Sequence, residues 1–252
     1  MDIYIISRGR AQPARQYTLS RMLAEGMQPT LVVPEGEAAD YSFYHRVVGL
    51  PAEYDGISAT RDWALQQSGD NKVLMLDDDL VFFARRSDER DKFRDMLPGE
   101  FKQMICDIAL ALDTHPHVGV ASREGGNRNT ADRAYNTRTL RLLAYDREYL
   151  NSRGITFLPM RVMEDFHVSL QILKSGADIC VLNNWCHNQA EGSNAPGGCS
   201  SYRQMSTQAE AAHDLARRHA PFVRVVQKKT KTAWGGAERT DVVISWKRAR
   251  NA

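Results

Sequence analysis

The chain has 252 residues and a formal net charge of +2 at pH 7, and charged residues make up 25% of it. This length suits one large α/β domain, or one domain with a small appendage. No apolar run approaches the roughly 20 residues that a membrane helix needs, and a strand-like segment starts at once, so we expect no signal peptide, no membrane association and a cytoplasmic protein. We expect a monomer or a weak oligomer.

Strand-like and helix-like segments alternate through the first half of the chain. Strands are predicted at 3–6, 30–33 and 47–50, and helices at 17–25 and 58–67. Such alternation predicts an α/β fold with a mostly parallel sheet, in which the carboxyl ends of the strands meet at one edge.

Charged and polar side chains follow these strands. Ser7, Arg8 and Arg10 follow the first strand, Glu35 follows the second, and Arg61 lies in the first turn of the second helix, where the helix dipole favours an anion. Together with Asp78, in the acid triplet that follows the next strand, they suit the binding of a nucleoside diphosphate donor. The sequence contains neither a G-x-G-x-x-G motif nor a Walker A loop, so it supports neither a dinucleotide-binding fold nor a P-loop enzyme.

The segment from Leu74 to Phe83 is apolar except for three consecutive acids, Asp77, Asp78 and Asp79. Carboxylates are costly to bury unpaired, and the carboxyl end of a parallel strand opens into a ligand crevice. Alternation along an extended chain would let Asp77 and Asp79 converge while Asp78 points elsewhere. Oxygen ligands favour Mg²⁺ or Mn²⁺ over zinc. A surface turn of three solvated acids is the alternative.

A helix at 100–112 and a strand at 118–121 lead to an open loop, residues 122–133, rich in glycine, asparagine and arginine. In and after this loop, four polar side chains could contact an acceptor, or could simply be solvated. They are Asn127, Arg128, Asn136 and Arg138.

A second informative segment begins at Met163 and ends at Gly176. Its apolar spacing predicts a helix, with Glu164 and Asp165 at the entry. Acids at a helix N-terminus complement the dipole, so they could serve as caps or supply a general base. A strand follows and delivers His187, which alone is more often structural than a ligand.

The cysteines provide little guidance. Cys106, Cys180, Cys186 and Cys199 form no C-x-x-C pair, and a reducing compartment argues against disulfides. The last three, with His187, could in principle bind zinc, but their spacing matches no common zinc pattern.

The charge is unevenly distributed. Residues 221–252 contain eight basic and two acidic side chains, a surplus of six, which leaves −4 for the rest of the chain. A helix is predicted at 204–218 and strands at 222–226 and 241–246, with Lys228, Lys229 and Lys231 between the strands. Such a segment suits a polyanionic backbone, although a solvated loop would have the same composition.

The order of these motifs resembles the GT-A glycosyltransferases of the family 2 type. The resemblance spans roughly residues 1–190 and includes the arginine-containing first turn, the Asp-x-Asp after a strand, the Glu-Asp pair that opens a helix and the later histidine. The Ser-Arg-Gly-Arg, Leu-Asp-Asp-Asp and Met-Glu-Asp-Phe segments also resemble the phage glycosyltransferases associated with Tet/JBP-type oxygenases. The Gln-x-x-Arg-Trp signature of processive synthases is absent, which favours a single transfer.

The resemblance implies specific roles. Asp77, Asp79 and His187 would hold Mn²⁺ or Mg²⁺, Asp165 would be the base with Glu164 as its competitor, and the donor would be a UDP-sugar. The acceptor would be 5-hydroxymethylcytosine in DNA, in the host cytoplasm if the gene belongs to a phage. Residues 1–200 would form the catalytic domain, and 201–252 a basic α+β extension that could contact the acceptor. Direct displacement would invert the anomeric centre.

Three other functions fit parts of the sequence. A GT-A glycosyltransferase could use a non-DNA acceptor. Asp77-x-Asp79 also fits the haloacid-dehalogenase phosphatase signature, although that signature normally follows the first strand of its domain, and here two or three βα units precede it. A non-catalytic DNA-binding protein would explain the basic tail but not the carboxylates.

Overall fold

The structure is a computed structural model that describes residues 1–191, 195–229 and 236–252. Its strands are β1 (Asp2–Ile6), β2 (Thr30–Pro34), β3 (Val47–Leu50), β4 (Lys72–Asp77), β5 (Leu80–Arg85), β6 (Phe93–Asp95), β7 (His117–Ser122), β8 (Arg133–Tyr135), β9 (Leu142–Asp146), β10 (Ile179–Gln189), β11 (Val223–Lys229) and β12 (Glu238–Ile244). Its helices are α1 (Tyr17–Ala24), α2 (Ile57–Gln67), α3 (Glu100–Ala111), α4 (Arg123–Gly126), α5 (Arg147–Ser152), α6 (Glu164–Lys174), α7 (Met205–Arg218) and α8 (Trp246–Arg250).

A ten-stranded mixed sheet forms the centre, in the order β3-β2-β1-β4-β9-β7-β10-β5-β6, with β8 paired to β10. Strands β1 to β4, β7 and β10 run in one direction, whereas β9 lies antiparallel between β4 and β7. The prediction of an α/β fold with a mostly parallel sheet is confirmed. The direction of β9 could not be predicted, because its sequence alone does not fix its neighbours.

Two hydrophobic clusters cover the faces of the sheet. The residues Val73, Leu74, Met75 and Leu76 of β4 have no exposed surface, and they alternate between the two clusters. Because side chains alternate across a strand, a strand covered on both faces reads as a continuous apolar run, which ends here at Asp77.

The C-terminal segment packs against the same core. Ala211 and Leu215 of α7 and Val242 of β12 belong to one of the two clusters. The Trp246 ring lies 5.8 Å from the Phe166 ring of α6, centroid to centroid. The extension is thus joined to the helix that carries the Glu-Asp pair. None of the helices in the described ranges is long and apolar enough to cross a membrane.

Candidate active site

A cavity of about 960 Å³ lies at the carboxyl ends of the parallel strands. Its walls come from the loops after β1, β2 and β4, from the start of α6, and from β12 and α8 of the extension. This is the edge at which ligands bind in open α/β sheets. The strand order therefore brings the acid triplet and the Glu-Asp pair to one cavity.

All three acids of the triplet line this cavity. Arg10 Nη1 donates to Asp78 Oδ1 at 2.5 Å and to Asp79 Oδ2 at 3.0 Å, and Ser7 Oγ also donates to Asp78. The expectation that Asp78 points away from its neighbours is wrong. Asp78 and Asp79 form the turn between β4 and β5, so the alternation of an extended strand does not apply to them.

Arg61 connects Asp77 with the entry of α6. Its Nη2 donates to Asp77 Oδ1 at 3.0 Å, and its Nη1 donates to Glu164 Oε1 at 2.5 Å. Arg61 is only 4% exposed and Glu164 only 5%. The guanidinium bridges the two carboxylates and so fixes the distance between the two motifs, because neither Arg61 nor Glu164 could be buried without its partner except at a high cost.

Burial changes the ionisation of the acids. It raises the pKa of Asp78 to about 6, against the opposing effect of Arg10. Burial, followed by the neighbouring charge of Asp77, raises the pKa of Asp79. Burial also raises the pKa of Glu164, and Arg61 opposes this shift. These three carboxyls are thus held in a desolvated environment, where an uncompensated negative charge is costly and a neighbouring positive charge is favoured.

The chemistry of Asp77 and Asp79 fits a divalent cation. Asp79 Oδ1 is buried and has no hydrogen-bond partner within the described structure, and Asp77 is partly exposed to the cavity. One or two carboxylates, completed by phosphate oxygens, are what Mg²⁺ commonly uses.

The structure does not bring His187 to these two acids. His187 is fully buried on β10 opposite Phe82, and the described residues include no group of three or more His, Cys, Asp or Glu side chains that could hold a metal. The side chain beside Asp79 is that of Gln189, whose Nε2 lies 3.2 Å from Asp79 Oδ2. Burial lowers the pKa of His187 to about 3, so its ring is neutral.

Asp165 and Glu164 have different surroundings. Glu164 is bound to Arg61, whereas the Asp165 carboxylate accepts a hydrogen bond from the Phe166 backbone and lines the cavity half-buried. A base needs an accessible carboxylate near the reacting hydroxyl. Asp165 meets that requirement better than Glu164.

The predicted donor-binding side chains all line the cavity: Ser7, Arg8, Arg10, Glu35, Arg61 and Asp78. Several of them have partners within the protein. Arg8 donates to Asp55 and lies 5.6 Å from the centre of the Tyr202 ring. Arg10 and Arg61 donate their hydrogen bonds to the acids, so in this structure they hold the carboxylates in position.

The predicted acceptor residues are divided by the structure. Arg138 and Lys228 line the cavity, and Arg138 stacks 4.6 Å above the Phe166 ring. Asn127, Arg128 and Lys229 are exposed elsewhere. The Asn136 amide is bonded to Asp178 Oδ1 and to the Ile179 backbone, so it holds the start of β10. Lys231 lies outside the described residues.

Several residues that line the cavity were not identified from the sequence. Phe166, Arg239 and Trp246 also line the cavity, and Asp241 is bonded to both Arg239 and Lys228. A tryptophan followed by Lys247 and Arg248 near the chain end was an available signal. Only the packing of α8 on α6 places it at the site.

A sheet of this order with an acid turn and a carboxylate-opened helix at one cavity defines a GT-A type of glycosyltransferase. The chain belongs to the TET-associated glycosyltransferases, whose family model matches residues 1–198. It is therefore an enzyme that transfers sugars, and the phosphatase alternative is excluded.

Known proteins agree with this assignment. The beta-glucosyl-HMC-alpha-glucosyl-transferases of Enterobacteria phages T2 and T6 are 25% and 24% identical over 214 residues, 78% of this chain and 74% of theirs. Among solved structures, Pyrobaculum calidifontis mannosyltransferase PcManGT, in complex with GDP-Man and Mn²⁺, matches with a TM-score of 0.56 at 13% identity. The 1–349 fragment of S. aureus TarS matches with a TM-score of 0.50 at 16% identity.

Both matches cover 86% of this chain, but the chain spans only 64% of PcManGT and 65% of the TarS fragment. At such identities they show the fold alone. The prediction of a GT-A fold is confirmed.

Proposed function

We propose that this enzyme transfers a sugar from a UDP-sugar to the hydroxyl of 5-hydroxymethylcytosine in DNA, in a reaction that depends on Mn²⁺ or Mg²⁺. The observation that carries the proposal is one cavity lined both by the acid turn and by Asp165 with side chains of the basic extension. The acid turn suits the binding of a metal and a nucleotide-sugar donor. Asp165 and the basic extension suit a polyanionic acceptor.

On the donor side, Asp77 and Asp79 would hold the cation, with diphosphate oxygens as its other ligands. When bound, the ion would neutralise the charge that develops on the leaving diphosphate. Arg10 and Arg61 keep the carboxylates in place through the hydrogen bonds described above. Arg8 lines the same cavity and would add a further positive charge near the diphosphate.

On the acceptor side, Asp165 would accept the proton of the attacking hydroxyl. The oxygen then forms a bond to the anomeric carbon while the bond from that carbon to the diphosphate breaks. Attack from the face opposite the leaving group inverts this centre. Glu164 would stay bound to Arg61 and position the start of α6.

The acceptor is proposed from charge and from the relatives' names. Arg138 and Lys228 at the cavity, with the basic surplus of residues 221–252, suit DNA phosphates. The phage relatives are named for hydroxymethylcytosine, abbreviated HMC in those names.

The test is release of UDP from UDP-glucose and other UDP-sugars, with Mn²⁺ present. Release should be stimulated by DNA containing 5-hydroxymethylcytosine, should not be stimulated by unmodified DNA, and should stop when EDTA is added. Equal release with both DNAs would exclude the modified base of DNA as the acceptor. Release that is unaffected by EDTA would exclude a requirement for the metal.

A second candidate acceptor is a sugar already attached to 5-hydroxymethylcytosine, because the relatives' names specify a beta-glucosyl-HMC acceptor and an alpha-glucosyl product. Comparing DNA with and without a β-glucosyl group on the modified base would separate the two. The anomeric coupling of the product, measured by NMR, would show whether the reaction inverts or retains.

A further inference from the structure

A second cleft, of about 870 Å³, adjoins the cavity and has no role in the chemistry described above. One wall is β8 with the loop after it, and the other is α8. We propose that this cleft binds the DNA strand next to the target nucleotide. This proposal rests on the proposed function, because it assumes that the acceptor is DNA.

Charge identifies the kind of occupant. Arg133, Lys247 and Arg248 line the cleft and are exposed, and none of its described lining residues is acidic. No ion pair in the described structure involves these three side chains. By contrast, Arg250 of the same helix is paired with Asp178 at 2.7 Å. Unpaired cations around an open cleft suit the phosphates of a nucleic acid backbone.

Tyr135 favours an unpaired strand over a closed duplex. Its side chain lines the cleft and remains 46% exposed, so the ring is accessible to a ligand. The ring stacks on His115, with centroids 5.6 Å apart and planes inclined by 28°, so its orientation is held. Exposed aromatic rings among cations are the platforms on which unpaired bases stack.

Continuity with the active site comes from Trp246. This residue lines both the cavity and the cleft, and its ring packs on Phe166, the residue directly after Asp165. A strand whose target nucleotide lies in the cavity would pass Trp246 to enter the cleft. The neighbouring phosphates would then meet Lys247 and Arg248, and a neighbouring base would meet Tyr135.

The experiment compares two triple variants that remove the same charge. The cleft variant is Arg133→Ser, Lys247→Ser and Arg248→Ser. The control is Lys102→Ser, Lys174→Ser and Arg217→Ser, whose residues are exposed and line neither cavity nor cleft. Binding of a single-stranded oligonucleotide that contains 5-hydroxymethylcytosine is measured by fluorescence anisotropy over a range of salt concentrations.

We expect the cleft variant to bind at least about tenfold more weakly, with a shallower salt dependence, because each lost phosphate contact removes about 0.7 from the slope of log K against log salt for a single strand. The control should bind like the wild type. Tyr135→Ala should weaken binding without changing the slope, because stacking releases no counterions. Thermal unfolding and affinity for UDP-glucose show whether each variant is folded.

Wild-type affinity in the cleft variant, or an equal loss in the control, would overturn the proposal. These outcomes are distinct from failure of the proposed function. If the wild-type enzyme releases UDP without any response to modified DNA, the DNA acceptor itself is wrong. If it modifies DNA and the cleft variant does so with an unchanged KM for DNA, only the cleft assignment is wrong.

Discussion

The guanidinium of Arg61 donates a hydrogen bond of 2.5 Å to Glu164, a residue 103 positions away in the sequence. The same guanidinium also bonds Asp77, so it ties the acid turn after β4 to the start of α6. The relative position of donor-side and acceptor-side carboxylates therefore depends on one buried cation. Glu164 is a positioning residue in this arrangement, and Asp165 next to it faces the cavity.

Removal of that cation should destabilise the protein strongly. We expect Arg61→Ala to lower the free energy of unfolding by about 3–5 kcal/mol, because Glu164 would remain buried without its partner. Denaturant unfolding measures this change. Arg8→Ala is the matched control, since Arg8 pairs with Asp55, which is 58% exposed, and such a pair contributes at most about 1 kcal/mol. Equal losses in the two variants would mean that the buried ion pair of Arg61 contributes no more than an exposed one.

Asp165→Asn should separate binding from chemistry. The amide cannot accept the hydroxyl proton, so kcat should fall by about 10²- to 10⁴-fold while the affinity for UDP-sugar stays the same. Steady-state kinetics and calorimetric titration of the donor measure the two effects. Glu164→Gln should lower the free energy of unfolding, because it removes the ion pair with Arg61, and it should lower kcat less than Asp165→Asn does. If Asp165→Asn kept full turnover, the base would be another group.

Asp79→Asn should remove the advantage that Mn²⁺ gives to nucleotide binding. The amide lacks the negative charge that holds the cation, so the ratio of UDP affinity with Mn²⁺ to that with EDTA should fall by about tenfold or more. Calorimetry in the two buffers gives this ratio. Asp55→Asn, at the same cavity, should leave the ratio unchanged, and a similar fall there would indicate a general charge effect.

Much of the site could be predicted because charged residues are costly to bury, so acids at the end of an apolar strand indicate a binding site. An apolar strand that ends in Asp77, Asp78 and Asp79 needs a cation or water at its end, and alternating strands and helices place that end at a ligand crevice. The entry acids of α6 follow from the helical spacing of the residues after them. Asp165, in the first turn of that helix, lines the cavity.

The remainder depended on long-range packing. The order of the motifs predicts that His187 is a metal ligand. The register of β10 instead places Gln189 beside Asp79 and leaves His187 in the core. His187 and Gln189 are two residues apart, so they share a face of the strand and differ in position along it: Gln189 pairs with Leu80, next to Asp79, whereas His187 pairs with Phe82. One sequence does not fix that register. Asn136 has a φ of 53°, which is the left-handed conformation of a turn. Its side-chain oxygen accepts a hydrogen bond from the Ile179 backbone, so it holds the start of β10.

Acid should destabilise the fold through buried neutral histidines. Burial lowers the pKa of His117 to about 4, and its ring nitrogens lie 2.9 Å from Ala144 O and 2.6 Å from Thr139 Oγ1. The unfolded chain binds a proton near pH 6.5, so this contribution is present above that pH and is lost as the pH falls from about 6.5 to 4.

The free energy of unfolding should therefore decrease by up to about 1.4 kcal/mol per pH unit for this group across that window. His117→Phe retains a ring against Tyr145, which stacks on His117 with centroids 4.3 Å apart, but cannot titrate. Denaturant unfolding at several pH values should give a shallower slope for this variant. Identical slopes would mean that His117 does not contribute to the acid sensitivity.

The proposed reaction is sugar transfer to 5-hydroxymethylcytosine in DNA at the cavity that contains Asp77, Asp79 and Asp165. Mass spectrometry of nucleosides, released from modified DNA after incubation with the enzyme, Mn²⁺ and a panel of UDP-sugars, tests it most directly. We expect a gain of one sugar mass on the modified cytosine, which is absent with unmodified DNA and with EDTA and strongly reduced with Asp165→Asn. No gain with any donor, while UDP is still released, would contradict it.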